Sequence, residues 1–308
     1  MALGSLFSPH SPQVQPISAL FGYFLILAAV IFLIVAGLVG FSIVRYRERA
    51  GGPQPGQHSG SRALEITWTA IPLVIVIVLF IITVRVMAAI DAPLSPAQLP
   101  DLVITGHQWW WEARYPNGAD TANEIHIPVG RRLLARIEAA DVIHDFWVPQ
   151  LARKMDAVPG RAAYLWLQAD EPSSYSGACS EFCGMQHAWM RFDVVAEPPA
   201  DFSAWLARQA APPSPPAGDA AEGARVFQQR KCGDCHSVSP DDTRVLAGPP
   251  LAHVASRRSL GGQIPNTPEN LARWIIEPQS IKPGNHMADA RLPADQLRAL
   301  TAYMESLQ

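Results

Sequence analysis

Two long apolar runs dominate the first third of the chain. Residues 17–44 and 66–84 contain no charged side chain. About 20 consecutive apolar residues cross a bilayer as a helix. The pattern therefore predicts a transmembrane hairpin over 17–90, with helices at about 17–44 and 66–88. After residue 91 the pattern changes to short apolar stretches. Residues 102–105, 124–127, 132–138 and 163–168 read as strands, separated by turn sequences such as Pro-Asn-Gly-Ala-Asp at 116–120. Several short strands at this spacing predict an all-β sandwich or barrel over 91–209. Residues 210–218 hold four prolines and read as a stiff linker. Beyond it, apolar positions return at helical spacing in 220–229, 268–276 and 294–307, which predicts a small all-α domain over 219–308.

Charge orients the hairpin. Arg45, Arg47, Arg49 and Arg62 crowd the loop between the two runs, whereas residues 1–16 carry no charged side chain. Basic residues are retained on the cytoplasmic side, so the loop is expected inside and both ends of the hairpin outside. No basic n-region precedes the first run, and no cleavable signal peptide is expected. The net charge of −3 hides a gradient: +3 over 1–90, −6 over 91–210 and zero over 211–308. An acidic middle domain could steer a basic partner such as a soluble cytochrome c, and it fits an ordinary solvated surface equally well.

Candidate chemistry sits in two short motifs. Cys179-Ser-Glu-Phe-Cys183-Gly-Met-Gln-His187-Ala-Trp-Met190 collects two thiolates, an imidazole and a thioether. Such soft donors favour copper, and methionine is a poor ligand for zinc. Two coppers sharing the two sulfurs need a second imidazole, for which His144 is the best upstream candidate. A Cys179–Cys183 disulfide is the competing reading. A loop that short suits disulfide geometry badly, and it leaves Met190 and the histidines unexplained. The second motif, Cys232-Gly-Asp-Cys235-His236, is the attachment signature of c-type haem. The two cysteines form thioethers and His236 becomes the proximal ligand. A thioredoxin-like dithiol competes, but the preceding helix and the following histidine oppose it. With four cysteines in the chain, none is left for a structural disulfide.

The spacing Cys-x-Glu-x-Cys-x3-His-x2-Met resembles the CuA centre of cytochrome c oxidase subunit II. The likeness covers about 17–200. Leu64-Glu65-Ile-Thr-Trp68 opens the second span as in that family, and Gly106-His107-Gln108-Trp109-Trp110-Trp111 resembles its aromatic stretch. Lys154-Met-Asp156-Ala-Val-Pro-Gly-Arg161 resembles the segment that docks on subunit I, although 151–156 is more basic than in some relatives. The resemblance continues into a fused cytochrome c domain, as in caa3-type haem–copper oxidases. It implies a multi-domain membrane protein: a two-helix transmembrane hairpin, a cupredoxin-like all-β Greek-key barrel and an all-α class I cytochrome c domain.

Residue roles follow from the same resemblance. Cys179 and Cys183 would bridge two coppers, His144 and His187 would cap one each, and Met190 and the Glu181 carbonyl would be weak axial ligands. The Glu181 carboxylate would point toward a Mg2+ shared with subunit I. Trp109 would mark where electrons arrive from a cytochrome, and Glu65 would lie near a proton-uptake entrance. Met287 resembles the distal haem methionine, with His286 and Met304 as rivals. Gly248-Pro249-Pro250-Leu251 resembles the Gly-Pro-x-Leu that supports the proximal histidine. Trp274 and Tyr303 match aromatic positions near the haem or are ordinary core residues.

The expected function is that of the electron-receiving subunit of a proton-pumping cytochrome c oxidase. Electrons from cytochrome c, including the chain's own haem, would pass through CuA to the O2-reducing haem–copper site of subunit I. The chain alone is not expected to reduce O2, because its spans contain no histidine. Expected partners are subunit I, subunit III and a soluble cytochrome c or other periplasmic donor. The expected location is a bacterial inner membrane, with both soluble domains on the periplasmic side. The retained copper ligands argue against a quinol oxidase. Two readings compete: a CuA-containing nitric oxide reductase subunit, and a membrane-anchored electron carrier without a catalytic partner.

Overall fold

The computed structural model describes residues 6–48, 51–52, 56, 60–91, 98–240, 242, 244 and 246–308, and the loop cation Arg49 lies outside them. The chain divides into two units, residues 15–93 and residues 1–14 with 94–308.

The first unit contains helices α1 (Gln15–Arg45) and α2 (Arg62–Ile90), of 31 and 29 residues. At about 1.5 Å per residue both exceed the roughly 30 Å of a hydrocarbon core. They are apolar all round, and Phe24, Ile26, Phe32, Val76 and Phe80 are among the exposed side chains. A helix that is apolar on every face and buries none of them is built for lipid. Both helices run slightly past the uncharged stretches. Arg45 in the last turn of α1 and Glu65 in the first turn of α2 suit the helix dipole there.

The second unit holds a β lobe and a helical lobe. The β lobe is a pair of five-stranded sheets among the described residues. In chain order its strands are β1 (Leu102–His107), β2 (Trp110–Arg114), β3 (Asp120–Ala122), β4 (Glu124–Pro128), β5 (Leu133–Ala139), β6 (His144–Trp147), β7 (Met155–Ala157), β8 (Ala163–Leu167), β9 (Ser173–Cys179) and β10 (Arg191–Glu197). One sheet has the order β3-β2-β1-β5-β8 and the other β4-β10-β9-β6-β7. Within them β1 runs parallel to β5 and β4 parallel to β10, and the remaining pairs are antiparallel. Inward side chains of both sheets interdigitate around Trp111, Phe146 and Phe192. The two phenylalanine rings stack at 4.7 Å, and Trp111 meets Phe146 edge-on at 5.5 Å. This is the expected cupredoxin-like sandwich, with more strands than the apolar runs alone suggested.

Two features depart from the sequence reading. Residues assigned to the end of an all-β domain form helix α3 (Pro199–Ala210), which buries Phe202, Trp205 and Gln209. Trp205 stacks on His126 at 4.0 Å and meets Tyr115 edge-on at 5.4 Å. The i, i+3, i+7 spacing of those buried residues is a helical signal, and Pro at the first turn is the usual start. The N-terminal tail is also tied to the lobe. The Ser11 hydroxyl donates to the Leu151 carbonyl at 2.6 Å, and the His10 carbonyl accepts from Asp170 N at 2.9 Å.

The helical lobe comprises α4 (Asp219–Gln229), α5 (Pro268–Ile276), α6 (Pro278–Ile281) and α7 (Ala294–Ser306), with a two-stranded β11 (Ser259–Leu260) and β12 (Ile264–Pro265). Helices α4 and α7 cross at Gly223, where an added Cβ would lie 2.0 Å from the Ala299 carbonyl oxygen. Only glycine lets the two backbones approach this closely. Phe227 and Tyr303 meet edge-on at 5.8 Å beside that crossing. Tyr303 and Met304 are thus packed in the core of this lobe.

Candidate metal centre and cofactor cavity

The first candidate site is a loop-borne donor cluster at the end of the second sheet. Strand β9 delivers Cys179, and the loop that follows carries Glu181, Cys183 and His187 before β10 begins. Strand β6 starts at His144 and pairs with β9 in the register Phe146↔Cys179, which carries His144 to the same end. Four donor contacts tie the cluster together. Cys179 Sγ lies 3.8 Å from Cys183 Sγ and 3.8 Å from His144 Nδ1. Cys183 Sγ lies 3.7 Å from His187 Nδ1 and 3.8 Å from Met190 Sδ. The Glu181 carbonyl oxygen stands 3.2 Å from Cys179 Sγ, while the Glu181 side chain is exposed. No disulfide joins any of the four cysteines.

Those separations suit metal binding. Two donors on one tetrahedral ion with bonds of about 2.3 Å lie about 3.8 Å apart. The soft, buried donor set fits copper. Cys179, Cys183, His144 and Met190 are all buried, so bulk water is kept from them.

Electrostatics prepare the cluster. Hydrogen bonding from Cys183 holds the Cys179 thiol well below its usual range, against the opposing effect of burial, with further help from His144 and the backbone of Asp145. The Cys183 thiol is pushed up, first because it donates to Cys179 and then by burial. Burial works against a charged His144, but the Asp141 carboxylate and the Cys179 sulfur outweigh it and raise its pKa. Behind His144, burial and a hydrogen bond shared with Asp156 push the Asp145 carboxyl up to about 7.

A ring of polar groups outside the donors orients them. His144 Nε2 meets Asp141 Oδ1 at 2.8 Å. The Cys183 carbonyl accepts from both Gln108 Nε2 at 2.8 Å and Trp109 Nε1 at 2.9 Å. Asp141 and Gln108 were not singled out from the sequence. A carboxylate three residues before a candidate ligand was the signal available for Asp141.

The second candidate site is a cavity of about 690 Å³ in the helical lobe, walled on one side by Gln108, Trp109 and Trp110 of the β lobe. Cys232, Cys235, His236 and Met287 line it, together with Trp274 and Leu300. The Cys-x-x-Cys-His segment turns tightly after α4, with His236 N bonded to the Cys232 carbonyl at 3.0 Å. His236 Nδ1 meets the Pro249 carbonyl at 2.8 Å, which fixes a donor on that nitrogen and leaves Nε2 as the free lone pair. Burial pulls the His236 pKa down and keeps the ring neutral. An added Cβ at Gly248 would lie 2.3 Å from the His236 ring, so the ring occupies space that any other residue would fill. A neutral, oriented imidazole and two thiols on a largely apolar cavity fit covalently held haem. His286 and Met304 line the same cavity as Met287, and Met304 also belongs to the core.

Trp109 is 8% exposed and lies under the helical lobe, its ring 4.8 Å from that of His286. Trp111 is fully buried core, and Trp110 stacks on His107 at 4.1 Å. Glu65 is exposed on α2.

Residues 3–86 match the family described as cytochrome C oxidase subunit II, transmembrane domain, residues 119–197 match its periplasmic domain, and residues 220–308 match cytochrome c. The chain is 36% identical to cytochrome c oxidase subunit 2 of Alkalihalophilus pseudofirmus, with 97% of this chain and 90% of that relative covered. It is 33% identical to the same subunit of Bacillus sp. (strain PS3), over 85% of this chain and 80% of the relative. Among solved structures, it is similar to the periplasmic domain of subunit II of cytochrome oxidase of Bradyrhizobium japonicum, at 32% identity and a TM-score of 0.34, covering 36% of this chain and 95% of that one.

Proposed function

The chain belongs to the cytochrome c oxidase subunit II family, and from that premise we propose how its own residues serve a haem–copper oxidase. It is the electron-receiving, membrane-anchored subunit of such a complex, and it carries copper and a c-type haem. When bound, these groups supply one-electron redox chemistry. The residues around them bind, orient and shield.

Cys179 and Cys183 would hold a pair of coppers between them, with His144 and His187 as the nitrogen donors and Met190 and the Glu181 carbonyl as weaker donors. One observation carries this assignment: each histidine Nδ1 contacts a different one of the two adjacent sulfurs, at 3.8 and 3.7 Å. The pairing offers two donor sets rather than one. Donors held largely buried by the surrounding hydrogen bonds would change position little on reduction, which would favour fast electron exchange.

In the helical lobe, Cys232 and Cys235 would tether the haem and His236, oriented by the Pro249 carbonyl, would hold its iron. Met287 would supply the second iron ligand, from a loop in which Met287 N donates to Asn285 Oδ1 at 2.7 Å. The exposed Glu181 carboxylate would be one ligand of a Mg2+ shared with subunit I, since hard cations need more oxygen ligands than this loop offers. Glu65 marks a proton-uptake entrance on the inner side. Both lobes lie on the periplasmic face, as the basic loop after α1 and the tie between the N-terminal tail and the β lobe support. The complex is of the caa3 type and pumps protons, with subunits I and III as partners and a soluble cytochrome or similar donor reducing the haem.

The purified complex tests this reading. Cyanide-sensitive O2 uptake with reduced cytochrome c is expected, together with two coppers per chain and a mixed-valence signal in the oxidised protein. NO consumption without O2 uptake, or a single type 1 copper, would overturn it. The haem should resist acid–acetone extraction, and Met287→Ala should remove the methionine ligation band. Persistence of that band would transfer the role to Met304.

A further inference from the structure

Between the two candidate sites lies a buried lysine. Lys282 follows α6 on the loop that carries Met287, and it is 4% exposed. Lysines at protein surfaces ordinarily extend their ammonium group into water. Here Nζ instead donates to the Trp109 carbonyl oxygen of the β lobe at 2.7 Å. Among the described residues that carbonyl is its hydrogen-bond partner, and no carboxylate pairs with it. Burial pulls its pKa down to about 8. Sequestering an ammonium group is costly, and a charge-assisted hydrogen bond recovers part of that cost only while the lobes stay docked.

Lys282 is the centre of a continuous chain of hydrogen bonds. Met287 N donates to Asn285 Oδ1 at 2.7 Å, and Asn285 Nδ2 donates to the Lys282 carbonyl at 2.7 Å. Lys282 Nζ then donates to the Trp109 carbonyl, and Trp109 Nε1 donates to the Cys183 carbonyl at 2.9 Å. The methionine loop of one lobe is thereby joined to the cysteine loop of the other. A second contact flanks the junction. The buried Glu124 carboxylate of β4 accepts from the Arg258 and Ser259 backbone amides at 2.8 and 3.0 Å. Gln263 Nε2 also donates to the Trp189 carbonyl at 2.7 Å. A Pro-rich linker raises local concentration but cannot set orientation. Directed contacts must do that.

We propose that Lys282 is the positioning residue that fixes the docked orientation of the helical lobe on Trp109, so that the Met287 and Cys183 loops meet through one hydrogen-bonded chain. The proposal rests on the function stated above in one respect: it treats that junction as the route between the haem and copper sites. Trp109 is then an internal junction, covered by the chain's own cytochrome lobe. An external donor must approach the helical lobe elsewhere.

The test uses the full-length, cofactor-loaded chain with Lys282→Met, which keeps the length of the side chain and removes the donor. Lys282→Gln keeps a neutral donor. Hydrogen exchange of residues 108–111 and 278–287 is read alongside haem-to-copper electron equilibration after photoreduction. For Lys282→Met, exchange in both segments should rise and equilibration should slow by about tenfold or more, with the haem and copper absorption bands unchanged. Lys282→Gln should fall between Lys282→Met and the wild type. Wild-type values of both readouts in Lys282→Met would overturn the proposal. A slowed rate accompanied by shifted haem or copper bands would also overturn it, because the lesion would then lie at a cofactor site. Absence of covalent haem or of copper in the wild type would instead remove the functional reading, while hydrogen exchange would still decide the role of Lys282 in docking.

Discussion

His144 presents one nitrogen to Asp141 and the other to Cys179: Nε2 lies 2.8 Å from Asp141 Oδ1, and Nδ1 lies 3.8 Å from Cys179 Sγ. The carboxylate selects the tautomer that leaves the Nδ1 lone pair facing the sulfurs. Asp141 is itself held by the Gln108 and Val142 amides, both at 2.6 Å. Removing such an orienting carboxylate typically weakens metal binding about 10–100-fold. Asp141→Ala is therefore expected to lose copper to a chelator far more readily than the wild type, as followed by metal analysis. Unchanged retention would show that His144 is oriented by packing alone.

The two sulfur types should behave differently. Cys183 touches Cys179, His187 and Met190, whereas Met190 touches Cys183 from the buried side at 3.8 Å. Cys183→Ser should abolish copper binding. Met190→Leu conserves volume and should keep the copper count while shifting the reduction potential, since a weak soft donor is lost. Potentiometry on copper-replete Met190→Leu checks this, and an unaltered potential would exclude Met190 from the ligand set.

Gly248→Ala should disturb the haem site without touching a ligand. The new methyl carbon would stand 2.3 Å from the His236 ring, and Gly248 N is bonded to the Cys235 carbonyl at 2.9 Å. Neither group can move far, because Pro249 anchors the ring. Overpacking of this kind costs about 1–3 kcal/mol. Reduced covalent haem content and a lower thermal midpoint are expected. A variant with normal haem spectra and stability would contradict the tight packing.

Asp120 gives a pH dependence of defined sign. It is 5% exposed at the junction of the two lobes, and burial pushes its carboxyl up to about 6, against the attraction of Arg257. The native state then holds a proton that the unfolded chain, with an ordinary carboxyl near 3.8, has released. Stability should fall as pH rises from about 4 to about 6 and level off above. The difference between about 6 and 3.8 corresponds to roughly 2–3 kcal/mol. Asp120→Asn should flatten this part of the profile and be the more stable protein at pH 7, as read by thermal unfolding. A profile identical to the wild type would refute it.

The hairpin, the haem motif and the cysteine-rich loop were legible in the sequence because each is written locally. An uncharged run long enough to cross a bilayer, a contiguous Cys-x-x-Cys-His and five donors within a dozen positions need no knowledge of distant residues. His144 was the harder case: a second imidazole was demanded by chemistry, but only the pairing of β6 with β9 brings it to the cysteines. The helix over 199–210 carried a readable period and was hidden by its β surroundings. The docking of the N-terminal tail, the clamp of Glu124 and the burial of Lys282 had no local signal. The Ser11 hydroxyl meets a carbonyl 140 residues away, and Lys282 meets one 173 residues away. Local sequence decided which chemistry each lobe can hold. Tertiary structure alone decided that the two sites face each other, because backbone carbonyls are anonymous in a sequence and become specific partners only when the fold places a donor opposite them.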